Sequence, residues 1–210
     1  MCGISGFYSK NLPKYNDVIL KMNSVLSHRG PDFSGKWQDS NFGIALGHQR
    51  LSILDLSNAG NQPMISQSGR FVITYNGEIY NHADIRKEIN SLNSNIKWKS
   101  NSDTESLLEA IEIFGIKKAL QKTVGMFAFA ILDRKNHSLT LARDRMGEKP
   151  LYYGWQGENA NKTFLFGSEL KSLKQHPSFE GEVNRNAIAL QLRHNCIPDP
   201  YSIYKNIYKL

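Results

Sequence analysis

Cys2 is the residue that could do chemistry by position alone, because it directly follows the initiator Met1. Aminopeptidases remove methionine most readily before small residues, so we expect processing to leave a thiol and a free α-amine on one residue. A free α-amine has a pKa near 8 and is partly neutral at neutral pH, whereas a thiol needs a nearby base to ionise it. The pair is therefore a candidate nucleophile and base. Taken alone, Cys2 could equally be a small apolar residue used for packing.

Four short motifs carry further polar residues with chemical potential. They are residues 47–55 (GHQRLSILD), 75–81 (YNGEIYN), 102–105 (SDTE) and 142–145 (ARDR). Each also has an ordinary structural explanation. Asn76-Gly77 is a strong turn signal, Asp103 could stabilise the start of a helix, and Arg50 could be a surface residue of a strand.

Hydrophobic periodicity predicts the elements that must position these residues. Strands are predicted at 3–8, 42–54, 71–75, 126–133, 138–143, 151–155 and 163–166, and helices at 17–26, 81–92 and 103–114. Ser102 and Glu105 have the spacing of a capping box at the start of the last helix, and Gly115 is expected to end it. Asn76-Gly77 is expected to end the strand before it. Short strands in hairpin-like succession, with separate helices, indicate an α+β fold with antiparallel sheets.

Composition limits the class of protein. The 210 residues are 40% hydrophobic and 21% charged, which is typical of one globular domain, and no linker rich in Pro, Gly or Ser divides them. The longest apolar stretch, near residues 126–132, is too short to span a bilayer, and no signal peptide precedes Cys2. Cys2 and Cys196 make no disulfide framework, so we expect a cytoplasmic protein.

The formal net charge of +7 raises the question of an acidic partner. The basic residues are scattered, so we expect a solvated surface, with neither nucleic acid nor membrane as a partner. The six histidines show no metal-ligand spacing, and we predict no metal site. Neither a GxxxxGK[ST] loop nor a GxGxxG loop occurs, so nucleotide binding by those devices is not expected.

The motifs gain meaning when they are taken together and in order. Cys2-Gly3-Ile4, residues 28–32 (HRGPD), the four motifs above and residues 147–153 (GEKPLYY) resemble the glutamine amidotransferase domain of asparagine synthetases. That domain is a class II amidotransferase of the N-terminal nucleophile (Ntn) hydrolase type. The resemblance covers nearly the whole chain. It implies a four-layer αββα sandwich of two mainly antiparallel sheets, and hydrolysis of L-glutamine to glutamate and ammonia through a Cys2 γ-glutamyl thioester.

The resemblance also implies roles for individual residues. Asn76, through its side-chain amide, and Gly77, through its backbone N–H, would form the oxyanion hole beside Cys2. Arg50 would bind the α-carboxylate of glutamine, and Asp103 would bind its α-ammonium. The other substrate-binding residues are expected to be Leu51, Ile53, Leu54 and Glu78.

A second domain is expected from the same resemblance. Asparagine synthetases bind ATP in a further domain through a Ser-Gly-Gly-x-Asp-Ser type loop, and nothing like it occurs in this sequence. Residues 1–210 are therefore expected to be one N-terminal domain of a longer protein. No cofactor is expected here, since ATP and Mg²⁺ would serve only the C-terminal synthetase domain. That domain is the expected partner, together with a possible homodimer.

Several functional readings stay open at this point. The acceptor of the ammonia could be aspartate, a sugar or another carboxylate. The chain could be a non-catalytic regulatory or docking module that keeps the fold. It could also be the amidotransferase half of a phosphoribosyl or hexosamine-phosphate system, although residues 75–81 and 143–153 favour the asparagine synthetase type.

Overall fold

Two antiparallel sheets form the centre of the protein. The computed structural model describes residues 1–158 and 162–210. In chain order the strands are β1 (Gly3–Ser9), β2 (Phe33–Asp39), β3 (Ile44–Arg50), β4 (Met64–Ile65), β5 (Phe71–Ile79), β6 (Gly125–Asp133), β7 (Ser138–Arg143), β8 (Tyr152–Gln156), β9 (Thr163–Gly167) and β10 (Tyr208–Lys209). The first sheet has the order β10-β8-β9-β1-β3-β2 and the second β4-β5-β6-β7. All neighbouring strands pair antiparallel.

Helices pack on the outer face of each sheet. In chain order the described α-helices are α1 (Val18–Ser24), α2 (His82–Leu92), α3 (Asp103–Phe114), α4 (Ile116–Lys122), α5 (Leu170–Leu173) and α6 (Arg185–His194). Ile19 of α1 and Leu173 of α5 belong to a buried cluster with β1 of the first sheet. Ile89 of α2, Leu108 of α3 and Ala119 of α4 belong to another with β5 and β6 of the second.

The two sheets pack face to face. Leu46 of β3 and Phe166 of β9 share one apolar cluster with Val72 of β5 and Leu132 of β6, so the space between the sheets is filled by side chains from both. The order of layers is helix, sheet, sheet, helix. The predicted α+β class and the four-layer αββα sandwich are confirmed.

The prediction that a strand ends at Asn76-Gly77 is wrong, because β5 continues through this pair to Ile79. Its register pairs Gly77 with Phe127 of β6. A Cβ atom on Gly77 would overlap the Met126 carbonyl oxygen. Glycine is therefore required here by the close approach of β6, and no turn is involved.

The strand predicted at 42–54 is also too long, since β3 ends at Arg50. The guanidinium of Arg50 donates hydrogen bonds to the carbonyl oxygens of Asp55 and Ser57, which hold the chain in a loop just beyond the strand. The sequence pattern predicted none of β2, β4, β10, α4, α5 and α6.

The helix predicted at 103–114 is confirmed, but its capping box is not. The Ser102 hydroxyl accepts a hydrogen bond from the Thr104 N–H at 3.1 Å, as an N-cap should. The Glu105 carboxylate does not return to the N–H of Ser102. It accepts from the N–H groups of Lys99 and Ser100 instead, at 2.9 and 2.8 Å, and so fixes the segment that leads into the helix.

None of the described helices combines the length and the apolar character needed to cross a bilayer. Within residues 1–158 and 162–210, no group of three His, Cys, Asp or Glu side chains is arranged to hold a metal ion.

Two histidines are buried without charge. His48 on β3 donates from Nε2 to the Tyr75 carbonyl oxygen at 3.0 Å. His176 packs against the rings of Phe7 and Tyr15, with centroid distances of 4.7 and 4.6 Å. Burial lowers the pKa of each imidazole from 6.5 to about 4.

These histidines should make the fold acid-sensitive in a defined pH window. Because their pKa is lowered in the folded state, the unfolded chain binds protons below pH 6.5 that the folded chain does not. The contribution of these histidines to the free energy of unfolding is fully present above pH 6.5 and is lost between pH 6.5 and 4. At pH 5 the loss is about 2 kcal/mol per histidine. Urea unfolding at pH 8 and at pH 5 measures this difference. His176→Leu should reduce this pH dependence by about half, whereas exposed His194→Leu should leave it unchanged. An equal fall in stability in all three proteins would contradict the assignment.

Candidate active site

Cys2 lies immediately before β1 and is half-buried. Its Sγ accepts a hydrogen bond from the Leu51 N–H at 3.3 Å and can donate to the Leu51 carbonyl oxygen at 3.6 Å. Burial raises the pKa of the Cys2 thiol, whereas the Leu51 N–H, the N-terminal amine and the nearby Arg50 charge act in the opposite direction. The thiol is therefore held in place but requires a base to become a thiolate.

Asn76 has a buried side-chain amide that donates no hydrogen bond to the described residues. Its side chain is 1% exposed, and its Nδ2 has no hydrogen-bond partner among the residues that the structure describes. A buried amide N–H₂ group without an acceptor is costly to a folded protein. Such a group is a candidate for ligand binding.

Gly77 supplies a second free donor beside it. N–H groups of alternate residues in a strand point to the same edge. On this edge of β5, the Tyr75 N–H donates to Gln62 Oε1 at 2.7 Å and the Ile79 N–H donates to Asp103 Oδ2 at 2.9 Å. Gly77 lies between these two residues, and its N–H therefore points to the edge that faces the cavity described below.

Asp103 is the first residue of α3 and is held by β5. Its Oδ2 accepts from the Tyr75 hydroxyl and from the Ile79 N–H, both at 2.9 Å. Burial raises the pKa of the Asp103 carboxyl, while these two hydrogen bonds favour the charged form. The carboxylate is thus rigidly placed, with its Oδ1 available to a cation.

Arg50 is buried at the end of β3, and its guanidinium is partly occupied by the protein. It donates to Ser57 O at 2.7 Å, to Asn61 Oδ1 at 2.8 Å and to Asp55 O. A Cβ atom on Gly60 would collide with the guanidinium, so glycine makes room for it. Nε and one terminal N–H have no acceptor within the described part of the chain and remain for a ligand.

One cavity of about 130 Å³ joins these groups. It is lined by every residue that the sequence predicted for the site, namely Cys2, Arg50, Leu51, Ile53, Leu54, Asn76, Gly77, Glu78 and Asp103. Ile53 and Leu54 are largely exposed at its rim. The arrangement places a thiol, two free N–H donors, a carboxylate and a guanidinium around a space large enough for a small molecule.

Sequence reasoning missed several further residues of this cavity, among them Gln62, Tyr75, Met126 and Lys149. Tyr75 directly precedes Asn76 in the 75–81 motif, and Lys149 lies in the GEKPLYY segment. Neither residue has a sequence spacing from which its place in the cavity could be predicted.

Arg29 is a further residue that sequence reasoning gave no role. Its Nε donates to the Cys2 carbonyl oxygen at 2.9 Å, and its NH1 pairs with the Glu169 carboxylate at 2.8 Å. Glu169 also binds His28 at 2.9 Å and Lys171 at 3.2 Å. These contacts lower the pKa of the Glu169 carboxyl to about 2, against the effect of its burial. Arg29 therefore ties the backbone of Cys2 to a charged cluster.

Similarity to known proteins agrees with this arrangement. A family model described as a glutamine amidotransferase domain matches residues 1–210. A putative glutamine-hydrolysing asparagine synthetase 2 of Methanocaldococcus jannaschii is 36% identical over all of this chain and 42% of its own length. The glutamine-hydrolysing asparagine synthetase 3 of Bacillus subtilis is 37% identical over 90% of this chain and 30% of its own length. The chain thus spans less than half the length of these relatives.

A solved structure shares the fold. The glutamine phosphoribosylpyrophosphate amidotransferase of B. subtilis superposes with a TM-score of 0.64 over 82% of this chain and 43% of that protein. Its sequence identity is 21%, so this likeness concerns the fold alone. The αββα sandwich is therefore common to both proteins.

Proposed function

The chain belongs to the glutamine amidotransferase domain family, and on this basis we propose that it hydrolyses L-glutamine to glutamate and ammonia. One observation carries the proposal. The buried, unpartnered amide of Asn76 and the N–H of Gly77 line the same small cavity as the Cys2 thiol. Donors of this kind stabilise the oxyanion that forms when a nucleophile attacks an amide carbonyl. A non-catalytic module is not favoured, because it has no need of unpaired buried donors.

The reaction that we propose has two covalent steps. After Met1 is removed, the α-amine of Cys2 accepts the thiol proton, through a bridging water because direct transfer within one residue is too strained. The thiolate attacks the side-chain carbonyl carbon of glutamine, and the amine returns the proton to the departing nitrogen. Ammonia leaves and a γ-glutamyl thioester forms. Water then cleaves the thioester, which releases glutamate and restores the thiol.

The charged residues account for recognition of the amino-acid part of the substrate. Asp103 is proposed to bind the α-ammonium through Oδ1, with Glu78 in the same pocket. Arg50 is proposed to bind the α-carboxylate with the N–H groups that the loop does not use. Leu51, Ile53 and Leu54 would enclose the aliphatic part.

Tyr75→Phe should weaken binding of glutamine and leave the chemistry nearly intact. The variant loses the hydroxyl that holds Asp103 at 2.9 Å, and the carboxylate becomes less fixed and easier to protonate. We expect the KM for glutamine to rise about tenfold, with kcat within about twofold of wild type. Steady-state kinetics measure both. Tyr80→Phe, at an exposed position, is the matched control. A fall in kcat at unchanged KM would refute this role for Tyr75.

The context of the domain is proposed from the relatives. Because the chain covers 42% and 30% of two asparagine synthetases, we propose that residues 1–210 are one N-terminal domain of a longer protein. Its partner would be a C-terminal synthetase domain that uses ATP and Mg²⁺, with aspartate, a sugar or another carboxylate as the acceptor of the ammonia. This domain would need no cofactor. We also propose a cytoplasmic location, no nucleic-acid or membrane partner, and a homodimer that light scattering would detect.

Glutamate release by the purified chain tests the proposed function. Protein shown by intact mass to have lost Met1 should produce equal amounts of glutamate and ammonia from L-glutamine. A chain extended by several residues before Met1 should produce neither, because its Cys2 nitrogen is an amide. The proposal is wrong if the processed protein releases no glutamate above the rate in buffer.

A further inference from the structure

Lys149 is a buried cation without an anionic partner. Its side chain is 5% exposed and lines the catalytic cavity. Among residues 1–158 and 162–210, the only hydrogen bond of its side chain is to Met1, whose Sδ lies 3.3 Å from Nζ. Lysine is almost never fully buried unless it is paired, so a lysine in this position is a candidate for a functional role.

The backbone on either side holds Lys149 in place. Its N–H donates to Asp144 Oδ2 at 3.2 Å, and its carbonyl oxygen accepts from Arg143 Nε at 2.7 Å. The same Asp144 carboxylate accepts from the N–H groups of Met146 and Glu148 at 3.1 and 3.0 Å. The loop is therefore rigid, and the position of the Lys149 side chain does not depend on a mobile segment.

The Lys149 ammonium contacts the residue that processing removes. Met1 is joined to the Cys2 nitrogen by a peptide bond, and its Sδ lies 3.3 Å from Nζ. When Met1 is removed, the Cys2 nitrogen becomes an α-amine, and Nζ loses its contact. Lys149 and Cys2, the residue that carries the new amine, both line the cavity. A nearby like charge disfavours protonation of an amine and favours ionisation of a thiol.

Resting on the proposed function, we propose that Lys149 keeps the processed Cys2 α-amine in its neutral, proton-accepting form and stabilises the Cys2 thiolate. The other charged groups at the cavity differ from it in sign or in what they bind. Asp55, Glu78 and Asp103 line the cavity and are acidic, and Asp103 raises the pKa of the thiol. The Arg50 guanidinium from β3 lowers the pKa of the thiol and is hydrogen-bonded to the 55–61 loop. The Arg29 guanidinium binds the Cys2 carbonyl oxygen and is neutralised by Glu169.

The pH dependence of kcat/KM for glutamine tests this role, using the processed protein and three variants. In Lys149→Met the acid limb of the pH profile of kcat/KM should move to higher pH by about one unit. At pH values on the acid side of the limb, kcat/KM should therefore be about tenfold lower than in the wild type. Near about pH 9 the two proteins should have the same kcat/KM. Lys149→Arg keeps the charge and should keep the wild-type limb. Lys174→Met removes an exposed charge and is the control. Thermal unfolding confirms that each variant folds, and Lys149→Gln replaces the methionine variant if that one does not.

The alkylation rate of Cys2 by iodoacetamide, followed by intact mass over the same pH range, gives an independent measurement. It should show the same shift, because it reports the thiolate without glutamine. The proposal is overturned if the acid limb of Lys149→Met is unchanged in both the kinetic and the alkylation assay. It is also overturned if the acid limb of Lys149→Arg moves as far as that of Lys149→Met. A higher KM with an unchanged limb would make Lys149 a substrate-binding group instead, which also overturns it. If the proposed function itself fails, the wild-type protein releases no glutamate at any pH.

Discussion

Cys2→Ala should reduce glutamate release by at least about 10⁴-fold, the largest effect that we expect of any substitution in this chain. Alanine is small, so removal of Met1 should continue and the α-amine should remain in the cavity. Among the described residues that line the cavity, however, Cys2 alone carries a thiol that can form a thioester. Its loss removes the covalent route altogether, while the fold should be little affected because Cys2 is half-buried and its contact to Leu51 is weak.

Cys196 provides the matched control for this experiment. It is the second free cysteine, and it is exposed near the end of α6. Cys196→Ala should hydrolyse glutamine at the wild-type rate. Release of glutamate by Cys2→Ala within about tenfold of wild type would show that another group attacks the amide. Equal losses in both variants would point to a general effect on the protein.

Asn76→Ala should reduce kcat by about 10²–10³-fold. The Nδ2 amide has no protein acceptor in the described residues, so its removal should cost the fold little, on the order of 1 kcal/mol. In the transition state, by contrast, the amide would donate to an oxyanion in a buried site, where such a bond is strong. The KM for glutamine should change far less than kcat, because the carbonyl oxygen of the ground state carries less charge.

The Asn76→Asp variant separates the donor from the shape of the side chain. Aspartate is nearly the same size but replaces the donor with an acceptor that repels an oxyanion. It should therefore be at least as slow as Asn76→Ala. Steady-state kinetics on both variants, with thermal unfolding as the control for folding, measure the effect. A kcat within about threefold of wild type in either variant would exclude Asn76 from the oxyanion hole.

Local patterns in the sequence predicted the framework of the site well. The helix at 103–114 begins with a good N-cap and ends at Gly115, whose φ of 78° suits glycine. The strand that begins at Gly3 places Cys2 at its leading end. Both elements are determined by residues that are close together in the sequence. The resemblance to a family then supplied the site residues, and all of them line one cavity.

Predictions from local sequence were wrong where contacts with residues distant in sequence determine the conformation. Asn76-Gly77 is the strongest local signal for a turn, yet the pair lies within β5 because β6 pairs along its whole length. Gly77 is needed for close packing against Met126, and no local pattern distinguishes that need from a turn. Glu105 likewise fits a capping box but binds residues before the helix.

The supporting residues could not be predicted for a similar reason. Arg29 contacts the Cys2 backbone across 27 residues of sequence, and Lys149 contacts Met1 across 148. Their roles depend on burial and on contacts between distant residues, which are properties of the folded structure. A scattered basic composition gives no indication that one lysine is buried at the cavity that Cys2 lines.

The most direct test of the central claim is the intact mass of the protein after exposure to a diazo-ketone analogue of glutamine. Protein that has lost Met1 should gain one adduct on Cys2, and excess L-glutamine should prevent it. Cys2→Ala should gain none, and Cys196 should remain unmodified. An adduct on any other residue with Cys2 intact, or no adduct on protein shown to lack Met1, would contradict the assignment of Cys2 as the nucleophile.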